Sequence, residues 1–218
     1  MEIVWRSVSD KHENQDRVAV FENRIFVVAD GVGGRFGGAQ AAQCVVDGIE
    51  KRFSRTKMRS WSAVLSEIDE EIARNPEAGE TTAVVAEVFE RRVGFHVRGA
   101  AVGDSVAWIF DGEKFFDLTQ NAVRKPFLGY GGAKITVFER KFSGVLLLAS
   151  DGISKYAAPE TVAEIVAQSD LNRAAEQLIA AVRYPSGALP DDVSLVLARN
   201  KRIRSPRKFM SFFASQSE

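Results

Sequence analysis

The chain has 218 residues, 29 Lys plus Arg balanced by 29 Asp plus Glu, and a hydrophobic fraction of 45%. That length is enough for one substantial buried core, and the zero net charge gives no global signature of nucleic-acid binding. One cysteine, Cys44, and two histidines, His12 and His96, leave no disulfide framework, argue against a His-rich zinc site and make a Ser-His-Asp triad a poor fit.

The N-terminus, Met1 to Arg6, lacks the apolar region of a signal peptide, and no apolar run approaches the roughly 20 residues of a spanning helix. With the lone cysteine, this points to a reducing cytoplasm. Residues 2–8 and 17–29 read as strands, the second broken by a tight turn at Glu22-Asn23. Helical spacing of Ala42, Val45, Val46, Ile49 and Phe53 predicts a helix over 39–53, which places Cys44 in a helix rather than at a nucleophile's turn. A second helix is predicted over 60–74, with Ser60 as its N-cap. Strands follow from residue 80 and over 92–100, 104–110, 114–118, 134–141 and 143–149. Helices near 159–168 and 171–183 come next, Pro159 suiting a first turn, and a last strand covers 192–199. Clustered strands separated by paired helices predict an α+β fold, a four-layer α-β-β-α sandwich of two antiparallel sheets flanked by helix pairs.

Aspartates stand at the ends of these strands. Ile25–Ala29 runs into Asp30-Gly31, and Val145–Ser150 runs into Asp151-Gly152. Asp104 precedes Val106–Phe110, and Asp191-Asp192 precede Val193–Ala198. In antiparallel sheets one strand's end lies beside its neighbour's start, so the spacing predicts that these acids meet at one edge. Gathered carboxylates repel and resist ionisation, a penalty that a divalent cation removes. Oxygen ligands without Cys or His suit Mg²⁺ or Mn²⁺.

Six motifs occur in order: N-Q-D at Asn14–Asp16, A-D-G-V-G-G at Ala29–Gly34, G-E-T-T-A at Gly79–Ala83, V-G-D-S at Val102–Ser105, A-S-D-G at Ala149–Gly152 and D-D-V-S at Asp191–Ser194. Singly each is a weak signal, and G-E-T-T-A alone reads as structural. The phosphate-loop pattern G-x-x-x-x-G-K-[ST] is absent. Together and in this order, the motifs make the chain resemble the metal-dependent serine/threonine protein phosphatases of the type 2C class, in their bacterial form, from about Ser7 to Arg199. The resemblance implies a phosphatase domain over 1–199 and the same sandwich fold. It implies that Asp30 bridges two Mn²⁺ or Mg²⁺ ions and that the Gly31 carbonyl binds one. Asp151 and Asp191 complete the carboxylate set, Asp16 holds metal water, and Asp104 helps hold a third, weaker ion. The implied activity is hydrolysis of phosphoserine and phosphothreonine by a metal-activated water without a phosphoenzyme, with Asp16, Asp30, Asp151 and Asp191 as the catalytic acids. The implied substrate is a phosphoprotein, the target of a bacterial Ser/Thr kinase, and nothing in the chain demands a dimer.

Departures from the family pattern also carry information. The phosphate-binding arginine is replaced by Lys11, which supplies charge without a planar fork, so Arg6, Arg17 and Arg35 are candidates to assist. Gln15 stands beside Asp16 where an acid is usual, and Val32 follows Asp-Gly where many eukaryotic members carry a histidine. His12 is a candidate substitute, although a solvated loop histidine is the simpler reading. The family's flap is reduced to residues 119–132, which predicts an open cleft that selects weakly by local sequence. Two other functions stand beside the phosphatase: a pseudophosphatase that binds phosphoproteins without turnover, and a small-molecule phosphoesterase. The tail, residues 200–218, carries basic residues ahead of Phe209, Phe212 and Phe213. It reads either as a solvated terminus or as an amphipathic contact with a partner or anionic membrane.

Overall fold

The computed structural model describes residues 1–32, 37–53, 60–168 and 170–200. Among these, β1 (Glu2–Val8), β2 (Asp16–Phe21), β3 (Ile25–Asp30), α1 (Gly38–Phe53), α2 (Trp61–Ala73), β4 (Ala83–Arg91), β5 (Gly94–Val102), β6 (Val106–Asp111) and β7 (Lys114–Asp117) form the first part of the chain. They are followed by β8 (Thr136–Lys141), β9 (Val145–Ala149), α3 (Asp151–Ser154), α4 (Pro159–Val166), α5 (Leu171–Ala181) and β10 (Val193–Arg199). One antiparallel sheet has the order β1-β10-β9-β6-β7 and the other β2-β3-β4-β5-β8. This is the α+β sandwich expected from the pattern of elements. The short helix α3, directly after a strand, was not foreseen.

Alternation of side chains explains the layers. In β3, Phe26 and Val28 point into the space between the sheets, while Ile25, Val27 and Ala29 face α1 and α2. In β9, Leu146 and Leu148 point between the sheets, while Val145, Leu147 and Ala149 face α4 and α5. Both faces of these strands are buried, so they read as continuous apolar runs rather than alternating ones. Each buried side chain of this kind contributes roughly 1.5–3 kcal/mol, and truncating the fully buried Phe26 to alanine would cost about 3–5 kcal/mol.

Local signals fix the connections. Glu22 and Asn23 both have positive φ, 49° and 52°, as a two-residue hairpin with the twist of its strands requires. That turn pairs Asp16 directly opposite Asp30 at the far end of the hairpin. Ser60 caps α2, its hydroxyl accepting the Ala63 N–H at 3.3 Å. The segment between β7 and β8 contains no helix. It is joined to the body at Leu128, which pairs with Thr81, and at Asp69 of α2.

Candidate active site

The strand-end acids converge, but not along one sheet edge. Asp16 and Asp30 come from β2 and β3 of one sheet. Asp104, Asp151 and Asp191 stand at the β6, β9 and β10 ends of the other. The carboxylates therefore face one another across the open end of the sandwich. They border a cleft of about 290 Å³ lined by Lys11, Asp30, Gly31, Asp104, Asp151 and Asp191, with Gln15, Val32, Thr82, Phe127, Lys155 and Asp192. Asp16 lies behind Asp30, outside the lining, and is buried.

The backbone around each acid is held firmly. The Asp30 carbonyl accepts the Thr82 N–H at 2.8 Å and the Thr81 hydroxyl at 2.9 Å. The Thr82 hydroxyl shares a 2.7 Å hydrogen bond with Ser105 and accepts the Asp30 N–H at 3.2 Å, tying the two sheets together beneath the cleft. G-E-T-T-A thus acts as scaffold. Two glycines permit close approach. A Cβ at Gly31 would meet the Gly38 backbone at 2.4 Å, and one at Gly152 would meet the Asp192 carbonyl oxygen at 2.1 Å. Without side chains there, α1 closes on the Asp30 strand end and α3 closes on the start of β10.

Electrostatics then separate the acids. Neither Asp16 oxygen has a hydrogen-bond partner, and the same holds for Asp151 Oδ1 and Gln15 Oε1. Of the nearby hydroxyls, that of Ser194 donates to Ser7 at 2.8 Å, and that of Ser150 accepts the Ser194 N–H at 3.0 Å. Burial pushes Asp16 up to about 6, the nearness of Ser150 and Ser194 restrains the rise, and the Asp192 charge adds to it. Burial and the charges of Asp16 and Asp151 push Asp30 up to about 10. Burial also raises Asp151, against the opposing effect of its ion pair with Lys155. Asp192 is buried too but satisfied, accepting from the Ser9 hydroxyl at 2.6 Å and the Gln15 N–H at 2.9 Å.

Among the described residues, the cations lining the cleft are Lys11 and Lys155. Lys11 Nζ lies 2.6 Å from Asp191 Oδ1 and 3.5 Å from Asp192 Oδ1. Lys155 pairs with Asp151 Oδ2. Arg6 is turned away to Glu176 and Asn172, and Arg17 to Gln43 and the carbonyls of Asn14 and Asp16. Arg35 and the tail beyond Asn200 lie outside the described residues. His12 is exposed and does not line the cleft. Sequence reasoning missed Lys155 and Asp192. The second was visible as the neighbour of Asp191, whereas the first required knowing that a helix begins at Asp151.

Whether these residues suit divalent cations rests on their chemistry. The donors are hard oxygens, buried and crowded enough that Asp30 holds its proton abnormally tightly, and three carboxylate oxygens are buried without any donor. That set fits Mg²⁺ or Mn²⁺. Among the described residues, no three acids form a ready-made cage, and the two lysine pairs hold Asp151 and Asp191 toward themselves.

No family model and no curated protein matches the chain. Solved structures do. A bacterial serine phosphatase is 21% identical with a TM-score of 0.77, over 92% of this chain and 99% of that one. Serine/threonine phosphatase Stp1 from Staphylococcus aureus is 22% identical with a TM-score of 0.78, over 92% and 95%. The catalytic domain of serine/threonine protein phosphatase PstP, solved in complex with 2 manganese ions, is 20% identical with a TM-score of 0.72, over 90% and 96%. The chain has the fold of these bacterial serine/threonine phosphatases, the fold that the six motifs imply.

Proposed function

We propose that this chain is a divalent-cation-dependent protein serine/threonine phosphatase. The observation that carries this reading is the convergence of Asp30, Asp104, Asp151 and Asp191 from two sheets on one cleft, with the unpartnered Asp16 carboxylate behind them. Its support from similar proteins is the shared fold, and in PstP the presence of manganese.

Asp16, Asp30, Asp151, Asp191 and the Gly31 carbonyl would hold two ions, Mn²⁺ or Mg²⁺, with Asp104 beside a third. When bound, the ions would offset phosphate charge and lower the pKa of water. The chain's own residues do the rest. Thr81 and Thr82 fix the Asp30 strand end, so its carboxylate keeps its place as charge builds in the cleft. Lys11 contributes a cation that steadies phosphate oxygens as a point charge. Water attacks phosphorus directly, the ester P–O bond breaks, and a proton from that water passes to the serine or threonine oxygen, which leaves as the hydroxyl. Cys44, the one thiol of the chain, lies within α1, outside the cleft lining.

The natural substrate in this reading is a phosphoprotein phosphorylated by a bacterial Ser/Thr kinase, met in the cytoplasm by a monomer. Among the described residues, no helix is long and apolar enough to cross a membrane. A non-hydrolysing phosphoprotein-binding module is the second reading, favoured by one observation: Lys11 and Lys155 already neutralise Asp191 and Asp151. Turnover separates the two. Hydrolysis of p-nitrophenyl phosphate and of a phosphothreonine peptide in EDTA, Mg²⁺ or Mn²⁺, beside Asp151→Asn, is the test. Cation-dependent turnover lost in the variant supports the phosphatase, and its absence with cation bound supports the binding module. Turnover of the small ester alone indicates a small-molecule phosphoesterase.

A further inference from the structure

Lys155 caps the C-terminal end of α3, four residues after Asp151. One helical turn stacks residue i+4 over residue i, which brings the ammonium onto Asp151 Oδ2. The base of this lysine is fixed, because Asp151, Gly152 and Ile153 are buried and Gly152 sits against β10. Its tip is not: the Lys155 side chain is 50% exposed, while that of Asp151 is 10% exposed. Lys155 therefore carries a rotatable charge on a rigid mount at the cleft wall. Asp104 and Asp191 add to the negative field around it, and Lys11 lines the same cleft.

We propose that Lys155 has two successive partners: it holds Asp151 until a divalent cation takes that carboxylate, and its ammonium then binds the substrate phosphate together with Lys11. This rests on the phosphatase reading of the same cleft. Asp151 Oδ1 is open to a divalent ion, and an ion there loosens the ammonium on Oδ2, because the doubly charged ion has the stronger attraction for the carboxylate and repels the ammonium. The displaced ammonium stays tethered at the cleft, on a flexible stem that lets it re-aim at a phosphate. A phosphate monoester carries close to two negative charges near neutral pH, and two lysines match that charge where, among the described residues, no arginine lines the cleft.

The two roles predict effects of opposite sign. In full-length Lys155→Met stripped with EDTA, calorimetric titration with MnCl₂ should show affinity about two- to fivefold tighter than wild type, the value of a half-exposed ion pair. In the same variant at saturating Mn²⁺, the inhibition constant of inorganic phosphate against p-nitrophenyl phosphate hydrolysis should rise about tenfold, as for a lost charged hydrogen bond. Lys155→Arg should restore phosphate inhibition to within about threefold of wild type. Both affinities weakening together would mark a merely structural lysine and overturn the proposal, as would both staying unchanged. A wild type that binds no Mn²⁺ and hydrolyses nothing removes the phosphatase reading and this inference with it. A wild type that does both, beside an unaltered Lys155→Met, defeats this inference alone.

Discussion

Asp69 and Asp16 are buried to nearly the same degree, 3% and 2% exposed, yet they sit in opposite environments. Asp69 reaches from α2 to the segment before β8 and accepts four backbone N–H groups: Gly129 at 2.7 Å, Gly131 at 3.1 Å, Gly132 at 2.7 Å and Ala133 at 2.9 Å. Its charge is fully engaged, and it holds in place the segment that brings Phe127 to the cleft. Asp16 has no donor for either oxygen and faces Asp30. Burial alone therefore does not mark a functional acid in this protein. Burial without donors is what sets Asp16 apart, because such a group is costly to keep charged unless a cation arrives.

Replacing an acid of the cleft should have the largest effect. Asp30→Asn or Asp151→Asn should lower Mn²⁺-dependent kcat by at least about 10³-fold, since in the proposed function each variant removes a carboxylate that would hold a cation. Steady-state hydrolysis of p-nitrophenyl phosphate measures it, with circular dichroism to show that the fold persists. Next in size, Asp69→Ala should destabilise the protein by roughly 3 kcal/mol, because it strands backbone donors at 129–133. Urea unfolding should show that loss equally in EDTA and in Mn²⁺. Asp16→Asn should do the reverse in EDTA, stabilising by on the order of 1–2 kcal/mol at pH 8, because a crowded buried charge is removed. In Mn²⁺ that advantage should vanish as cation binding weakens. If Asp16→Asn behaved like Asp69→Ala, the contrast between the two acids would be broken.

A pH series sharpens the same contrast. Asp16 and Asp30 hold protons more tightly folded than unfolded, so above the ordinary value of 3.8 the folded protein carries extra protons. Stability in EDTA should therefore fall as pH rises, through the window up to about 6 for Asp16 and onward toward about 10 for Asp30. Thermal unfolding between pH 5 and 8 should show this slope in wild type and a shallower one in Asp16→Asn. The smallest expected effect is at Lys11. Lys11→Arg should lower KM for phosphopeptides by about threefold by offering a two-pronged contact.

Much of this arrangement was legible in the sequence. The apolar runs gave the strands because both faces of β3 and β9 are buried, and Glu22-Asn23 gave the hairpin that sets Asp16 opposite Asp30. Asp-Gly pairs marked the acids because the glycines allow close packing at the strand ends. What could not be read depended on long-range placement. Strand ends alone do not say which sheet each belongs to, so the acids looked like one edge rather than two facing ones. The four-residue α3 is too short for a periodic signal, which concealed Lys155. Asp69 sits among Glu67, Glu70 and Glu71 and looks like one more surface acid until the 129–133 segment folds over it.

In the proposed function the crowded carboxylates are a divalent-cation site. Calorimetric titration of MnCl₂ into EDTA-stripped protein at neutral pH, for wild type and Asp30→Asn, tests it most directly. Two equivalents bound by wild type, with binding lost or greatly weakened in the variant, is the predicted result. No binding at millimolar Mn²⁺, or binding that Asp30→Asn leaves unchanged, would contradict it.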